Sequence, residues 1–138
     1  MNIIKTGAES KLQMSDLIFT KICFERNENE MGQGLSFGVE RHVEKAEDGT
    51  HDVILSINLN DDNSAINIEI VAVGTFILTD DDGFTPERRD AIMNNNTVAI
   101  MFPYIRSQLT LLTSQPNFPP IVLPAMNIIE MLNMQNNI

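Results

Sequence analysis

Between residues 91 and 129 this chain carries one charged side chain, Arg106, whereas residues 1 to 90 hold eighteen of its nineteen acids and eight of its nine Lys and Arg. So long a stretch without charge has to be kept from water. It is too short to enclose a core of its own, so it must cover the first part, and residues 1–138 are read as one domain, with 1–14 as a flexible N-terminus. A membrane span is not expected: the longest apolar run, Val98 to Ile105, is eight residues including Pro103, against roughly 20 for a bilayer.

The charged part sets further bounds. A net charge of -10 repels a phosphate backbone, so nucleic acid is not an expected partner. The single cysteine, Cys23, allows neither an internal disulfide nor a cysteine zinc site, which fits a reducing compartment. Residues Met1 to Leu12 contain no apolar stretch of signal-peptide length, so a cytoplasmic location is expected.

Four segments of the first part favour strands. Leu17 to Glu25 crowds β-branched and aromatic residues into a short run. Leu35, Phe37, Val39 and Val43 alternate with polar residues; Val53, Leu55, Ile57 and Leu59 do so again, and Ile66, Ile68 and Ile70 a third time. Asp48-Gly49 and Asp61-Asp62-Asn63-Ser64 supply turns, so the second, third and fourth strands make an antiparallel meander. Gly74 interrupts an apolar stretch and reads as a bulge or bend.

After Gly83 the pattern becomes helical. Thr85-Pro86 suits an N-cap and first helical position, while Asn94-Asn95-Asn96 argues against one continuous helix. Val98, Met101, Ile105, Leu109 and Leu112 form one helical stripe, with Ile100, Phe102 and Leu111 off it. That predicts burial on two sides, by the sheet and by a second copy of the chain. Pro103 predicts a kink or a late start. Asn127 with Glu130 resembles a capping box for a short last helix through Met134. Strands followed by helices indicate the α+β class: a four-stranded antiparallel sheet covered by a long kinked helix and a short C-terminal helix.

No catalytic or metal constellation is legible, and no enzyme activity, metal or other cofactor is expected. His42 and His51 lack ligand spacing and a cysteine partner. Asp80, Asp82 and Gly83 fit the middle of a calcium loop whose ends would be Leu78 and Arg89, which do not serve. Cys23 has no flanking base to activate it. What stands out is an apolar loop, Phe118 to Met126, between three prolines and the last helix. Read as core, it packs under a stiffened loop; read as a site, it forms an apolar groove in which methionine adapts to many side chains.

At this loop the chain resembles a family. Met101-Phe102-Pro103-Tyr104-Ile105-Arg106-Ser107, then Leu112-Thr113-Ser114, then Phe118-Pro119-Pro120 through Leu123-Pro124-Ala125-Met126-Asn127 are similar to the signature of SecB, the bacterial protein-export chaperone family. Phe19 to Glu25 and Glu69 to Phe76 are weaker echoes in the same order. The resemblance implies a long helix through the Phe-Pro-Tyr segment and a homotetramer built as a dimer of dimers. It also implies an ATP-independent holdase that wraps unfolded or extended polypeptides around apolar grooves. Expected groove residues are Leu35, Phe37, Phe118, Ile121, Leu123, Met126, Met131 and Leu132; expected subunit contacts are Met101, Ile105, Arg106, Leu109 and Leu112, with Arg106 paired to a carboxylate or to helix-end carbonyls. Glu25 and Glu69 fall on the acidic face that the SecA motor uses in the family, but Lys21 stands where the family has an acid. The early loop Arg26 to Gly34 lacks aromatic residues, and the cysteine-containing zinc tail of export members is not found in the sequence. Weak or absent SecA binding is therefore expected. The rival reading is an adaptor that binds one partner, such as an antitoxin-type chaperone, without an export role.

Overall fold

The computed structural model describes residues 11–79, 83–123 and 127–136. Four strands, β1 (Leu12–Arg26), β2 (Leu35–Lys45), β3 (His51–Asp61) and β4 (Ile66–Leu78), form one antiparallel sheet in the order β1-β4-β3-β2. The predicted meander is β2-β3-β4, and β1 joins the free side of β4. The class is α+β, as the order of elements indicates.

β1 begins earlier than the residue pattern suggests: Leu12 and Met14 are buried strand residues rather than part of a tail. Two bulges, between Met14 and Asp16 and between Phe19 and Lys21, each shift the pairing with β4. Each extra residue reverses which parity faces inward, so Leu12 and Met14, Leu17 and Phe19, and Ile22 and Phe24 share one face despite uneven spacing. β4 instead runs through Gly74 with no break in its pairing to β3. The glycine is a place of close approach: a Cβ there would lie 2.8 Å from the Phe76 ring and 3.0 Å from the Met101 sulfur.

One helical run crosses the sheet, from α1 (Pro86–Ala91) through a π turn (Ile92–Asn96) into α2 (Thr97–Leu112). The Thr85 hydroxyl accepts the Arg88 N–H at 3.1 Å, the predicted cap. The Asn triplet does not end the helix but widens it. Arg41 Nη1 of β2 donates to the Asn94 carbonyl at 2.5 Å, and the Thr97 hydroxyl donates to the Met93 carbonyl at 2.6 Å, so groups that the wider turn exposes are satisfied. Val98, Met101, Ile105 and Leu109 of α2 are fully buried against the inner rows of β3 and β4. α3 (Ile128–Asn136) starts where Asn127 Oδ1 accepts the Glu130 N–H at 3.0 Å, and it packs over β2.

Because β1 and β2 are the two edges, the segment joining them crosses the end of the sheet. It is tied there to the β3–β4 turn: Asn27 Nδ2 donates to the Ser64 carbonyl at 2.7 Å, Asn63 Nδ2 to the Glu30 carbonyl at 3.2 Å and the Asp62 N–H to the Gly34 carbonyl at 3.1 Å. At its centre the buried Asp61 carboxylate accepts the N–H groups of Gly32 at 2.7 Å and Ile66 at 3.0 Å.

Candidate functional site

After α2 the chain turns back at Thr113 and runs beside the helix as an irregular segment, 114–123. Two prolines in a row at 119 and 120 remove backbone donors, so side chains must fix its path. Three residues of α2 and its C-cap, spaced as one helical stripe, do so. Arg106 Nη2 donates to the Leu123 carbonyl at 2.9 Å, the Thr110 hydroxyl to the Ile121 carbonyl at 2.9 Å, and the Thr113 hydroxyl accepts the Ile121 N–H at 2.8 Å. The partner of Arg106 is thus a carbonyl of the irregular segment, that of Leu123, rather than the expected carboxylate or helix-end carbonyl, and its Nε is buried without a partner.

Between the helix and this segment lies a depression of 570 Å³ lined by Pro103, Arg106, Thr110, Leu111, Val122 and Leu123 among others. A second, of 460 Å³, is lined by Ala99, Phe102, Pro103, Arg106, Ile128 and Ile129. They share Pro103 and Arg106, so together they form one trough along α2. Its surface is more apolar than polar, although Arg106, Ser107, Thr110 and Ser114 also line it, and two of its lining residues, Leu111 and Val122, are each 69% exposed. In the sequence Leu111 lies off the α2 stripe and Val122 falls in the apolar loop, but that the two meet in one trough depends on the side of α2 along which the chain returns.

The expected groove residues divide. Leu35 is exposed, Phe37, Ile121 and Met131 are half-buried, and Met126 lies outside the described residues. Phe118, Leu123 and Leu132 are buried in the protomer's core. Phe118 meets Phe24 edge-on with ring centres 5.4 Å apart, and the Arg26 guanidinium lies over it at 5.4 Å. The expected subunit contacts also need correction. Met101, Ile105 and Leu109 have no exposed surface to offer, because their own sheet takes them, and Leu112 and Arg106 are half-buried. Ile100, Tyr104 and Leu111 are the large apolar side chains that α2 leaves exposed, at 36%, 46% and 69%.

On the opposite face of the sheet, Lys21 of β1 forms an ion pair with Glu69 of β4, which raises the lysine pKa through that hydrogen bond and charge. Cys23 lies across from Glu69, and its Sγ is 3.6 Å from Glu25 Oε1. Glu25 and Glu69 therefore share a face, but one of the two carboxylates is already matched. Among the described residues no group of three or more His, Cys, Asp or Glu is arranged for a metal ion, and no helix is long and apolar enough to cross a membrane.

Comparison with known proteins agrees with this architecture. An uncharacterized protein of Methanocaldococcus jannaschii is 43% identical over 37 residues, 27% of this chain and 24% of that protein. The protein-export protein SecB of Methylococcus capsulatus is 26% identical over 104 residues, 73% of this chain and 64% of that protein. The match spans less than two thirds of either relative. Among solved structures, the SecB-like chaperone of Mycobacterium tuberculosis, in complex with a ChAD peptide from an antitoxin, superimposes with a TM-score of 0.69 at 17% identity, covering 85% of this chain and 88% of that one. The family model for SecB, preprotein translocase subunit SecB, matches residues 11–137, nearly the whole sequence, and the chain belongs to the SecB family.

Proposed function

We propose that this protein is a holdase: it binds unfolded or extended polypeptide in the trough along α2, without ATP and as a homo-oligomer. The observation that carries the reading is the trough itself, a depression with more apolar than polar surface that holds two strongly exposed apolar side chains, Leu111 and Val122. Apolar residues gathered in one groove, unlike singly exposed ones, mark a surface that another chain covers. Burying side chains is all that this activity requires. Membership of the SecB family supports it, as does the antitoxin peptide bound to the M. tuberculosis chaperone of the same fold. That bound peptide also favours the second reading, an adaptor for one partner.

The outer face bears on the export role. Lys21 holds the Glu69 carboxylate, so a basic motor surface would meet a smaller net negative charge there. Exposed pairs of this kind are worth at most about 1 kcal/mol, enough to weaken a docking that depends on several of them. Weak SecA binding follows.

Suppression of aggregation of a chemically unfolded client tests the proposal. Phe118→Ala is a poor probe because it opens the core, at about 3–5 kcal/mol for such a deletion. Val122→Ser changes an exposed rim residue instead and is expected to lower suppression several-fold in a folded protein. Wild type that does not suppress aggregation would overturn the holdase; a single tight partner recovered from its native cytosol, with no effect on unrelated clients, would select the adaptor.

A further inference from the structure

Strand β2 is an edge of the sheet, with no strand on its outer side among the described residues. Its helix-side row reads Phe37, Val39, Arg41, Val43, Lys45, so apolar residues give way to cations along one line. His51 stands opposite Lys45 at the end of β3. Lys45 and Arg89 lie near enough to His51 for their charge, added to the larger effect of burial, to hold its pKa below the usual 6.5. In a chain of net charge -10, this corner gathers positive charge. The acids of β2, Glu40 and Glu44, face the other side of the sheet, where Glu44 meets His42 at 3.2 Å. Arg41 has no carboxylate partner among the described residues, whose ion pairs are Lys21–Glu69 and His42–Glu44. Its guanidinium is half-buried and oriented by the Asn94 carbonyl of the π turn.

We propose that the free edge of β2 receives an extended polypeptide whose carboxylate side chains meet Arg41 and Lys45 while apolar side chains meet Phe37 and the exposed Leu35 of the same row. The inference rests on the polypeptide-binding reading and deepens it by naming the client class: apolar segments continued by acidic residues. A strand added at an edge gains main-chain hydrogen bonds, and its specificity comes from alternate side chains. Residues opposite one another on adjacent strands stand about 4.5–5.5 Å apart at Cβ, within reach of a carboxylate–guanidinium pair. Since the strand period is two, acids opposite Arg41 and Lys45 are four positions apart.

Fluorescence anisotropy with synthetic 15-residue peptides provides the test. The peptides share a block of alternating apolar residues and carry Glu, Gln or Lys at two positions four apart, placed before the block in one set and after it in another. At low salt the Glu peptide of one set is expected to bind about tenfold tighter than its Gln counterpart, a few-fold for each exposed pair, and the Lys peptide weaker again. Lys45→Gln, at an exposed position, should cut this preference a few-fold, and Arg41→Gln combined with it should abolish it while Gln-peptide binding stays. Hydrogen exchange should slow at β2 amides when the Glu peptide is added. Equal binding of Glu and Gln peptides to wild type, or a preference that survives Lys45→Gln undiminished, would overturn the inference and leave the holdase standing. Absence of binding by all peptides would overturn both.

Discussion

Gly74 is the smallest residue in a strand of large ones, and its neighbours explain why. The Phe76 ring and the Met101 sulfur occupy the space that a side chain would need. Gly74→Ala is expected to cost about 1–3 kcal/mol through overpacking, read as a lower urea midpoint with unchanged slope; no change in midpoint would mean that the helix moves aside freely. Asp61 is a different kind of residue, buried but charged. Burial alone raises its pKa, and the N–H donors of Gly32, Ile66 and Ala65 together outweigh that and leave it below the ordinary value near 3.8. A carboxyl group more acidic in the folded than in the unfolded state stabilises the fold above the unfolded pKa, and that contribution is lost as pH falls below about 3.9. Melting temperature should therefore drop more steeply between pH 5 and pH 2.5 for wild type than for Asp61→Asn, which starts lower and loses less. Parallel curves would assign the acid sensitivity elsewhere.

At the scale of elements, legibility depends on whether a pattern keeps its phase. β2, β3 and β4 each hold one period from end to end, so their rows can be read from Phe37, Val53 or Ile66 onward. β1 changes parity at two bulges, and in the sequence its inward residues look like an unpatterned apolar run. The asparagine triplet reads as a helix break because propensity is local, whereas the π turn is supported from outside by Arg41. The same reason hides the trough. Its position depends on where a proline-rich segment returns, which Arg106, Thr110 and Thr113 settle through bonds to backbone groups eight to seventeen residues away. The apolar loop is legible as a feature, but not which of its residues become core. Arg106→Met tests that attachment: loss of a charged hydrogen bond should cost about 1.5–3 kcal/mol and speed proteolysis and hydrogen exchange at residues 119–123 more than in the sheet. A uniform change across the protein would show that Arg106 supports the core instead.

For the whole molecule, the exposed Ile100 and Tyr104 of α2, which lie outside the lining of the trough, are the surface on which a second copy is expected. Sedimentation at micromolar concentration should show an oligomer that Ile100→Glu with Tyr104→Glu dissociates while circular dichroism is preserved; an unchanged oligomer would put the interface elsewhere. The crossing of the sheet end by the segment between β1 and β2 bears on time as well as shape. Three strands of the sheet can pair in order of synthesis, each with the one before it, but Arg26 finds its partner only in Ile66 and Leu12 only in Leu78. At roughly 5–20 residues per second, the first strand, with Phe19, Ile22 and Phe24, leaves the ribosome and waits some seconds for the last. During that interval the nascent chain presents an extended apolar segment of the kind that the proposed holdase would bind, so under that proposal each new copy is itself a client of a folded one.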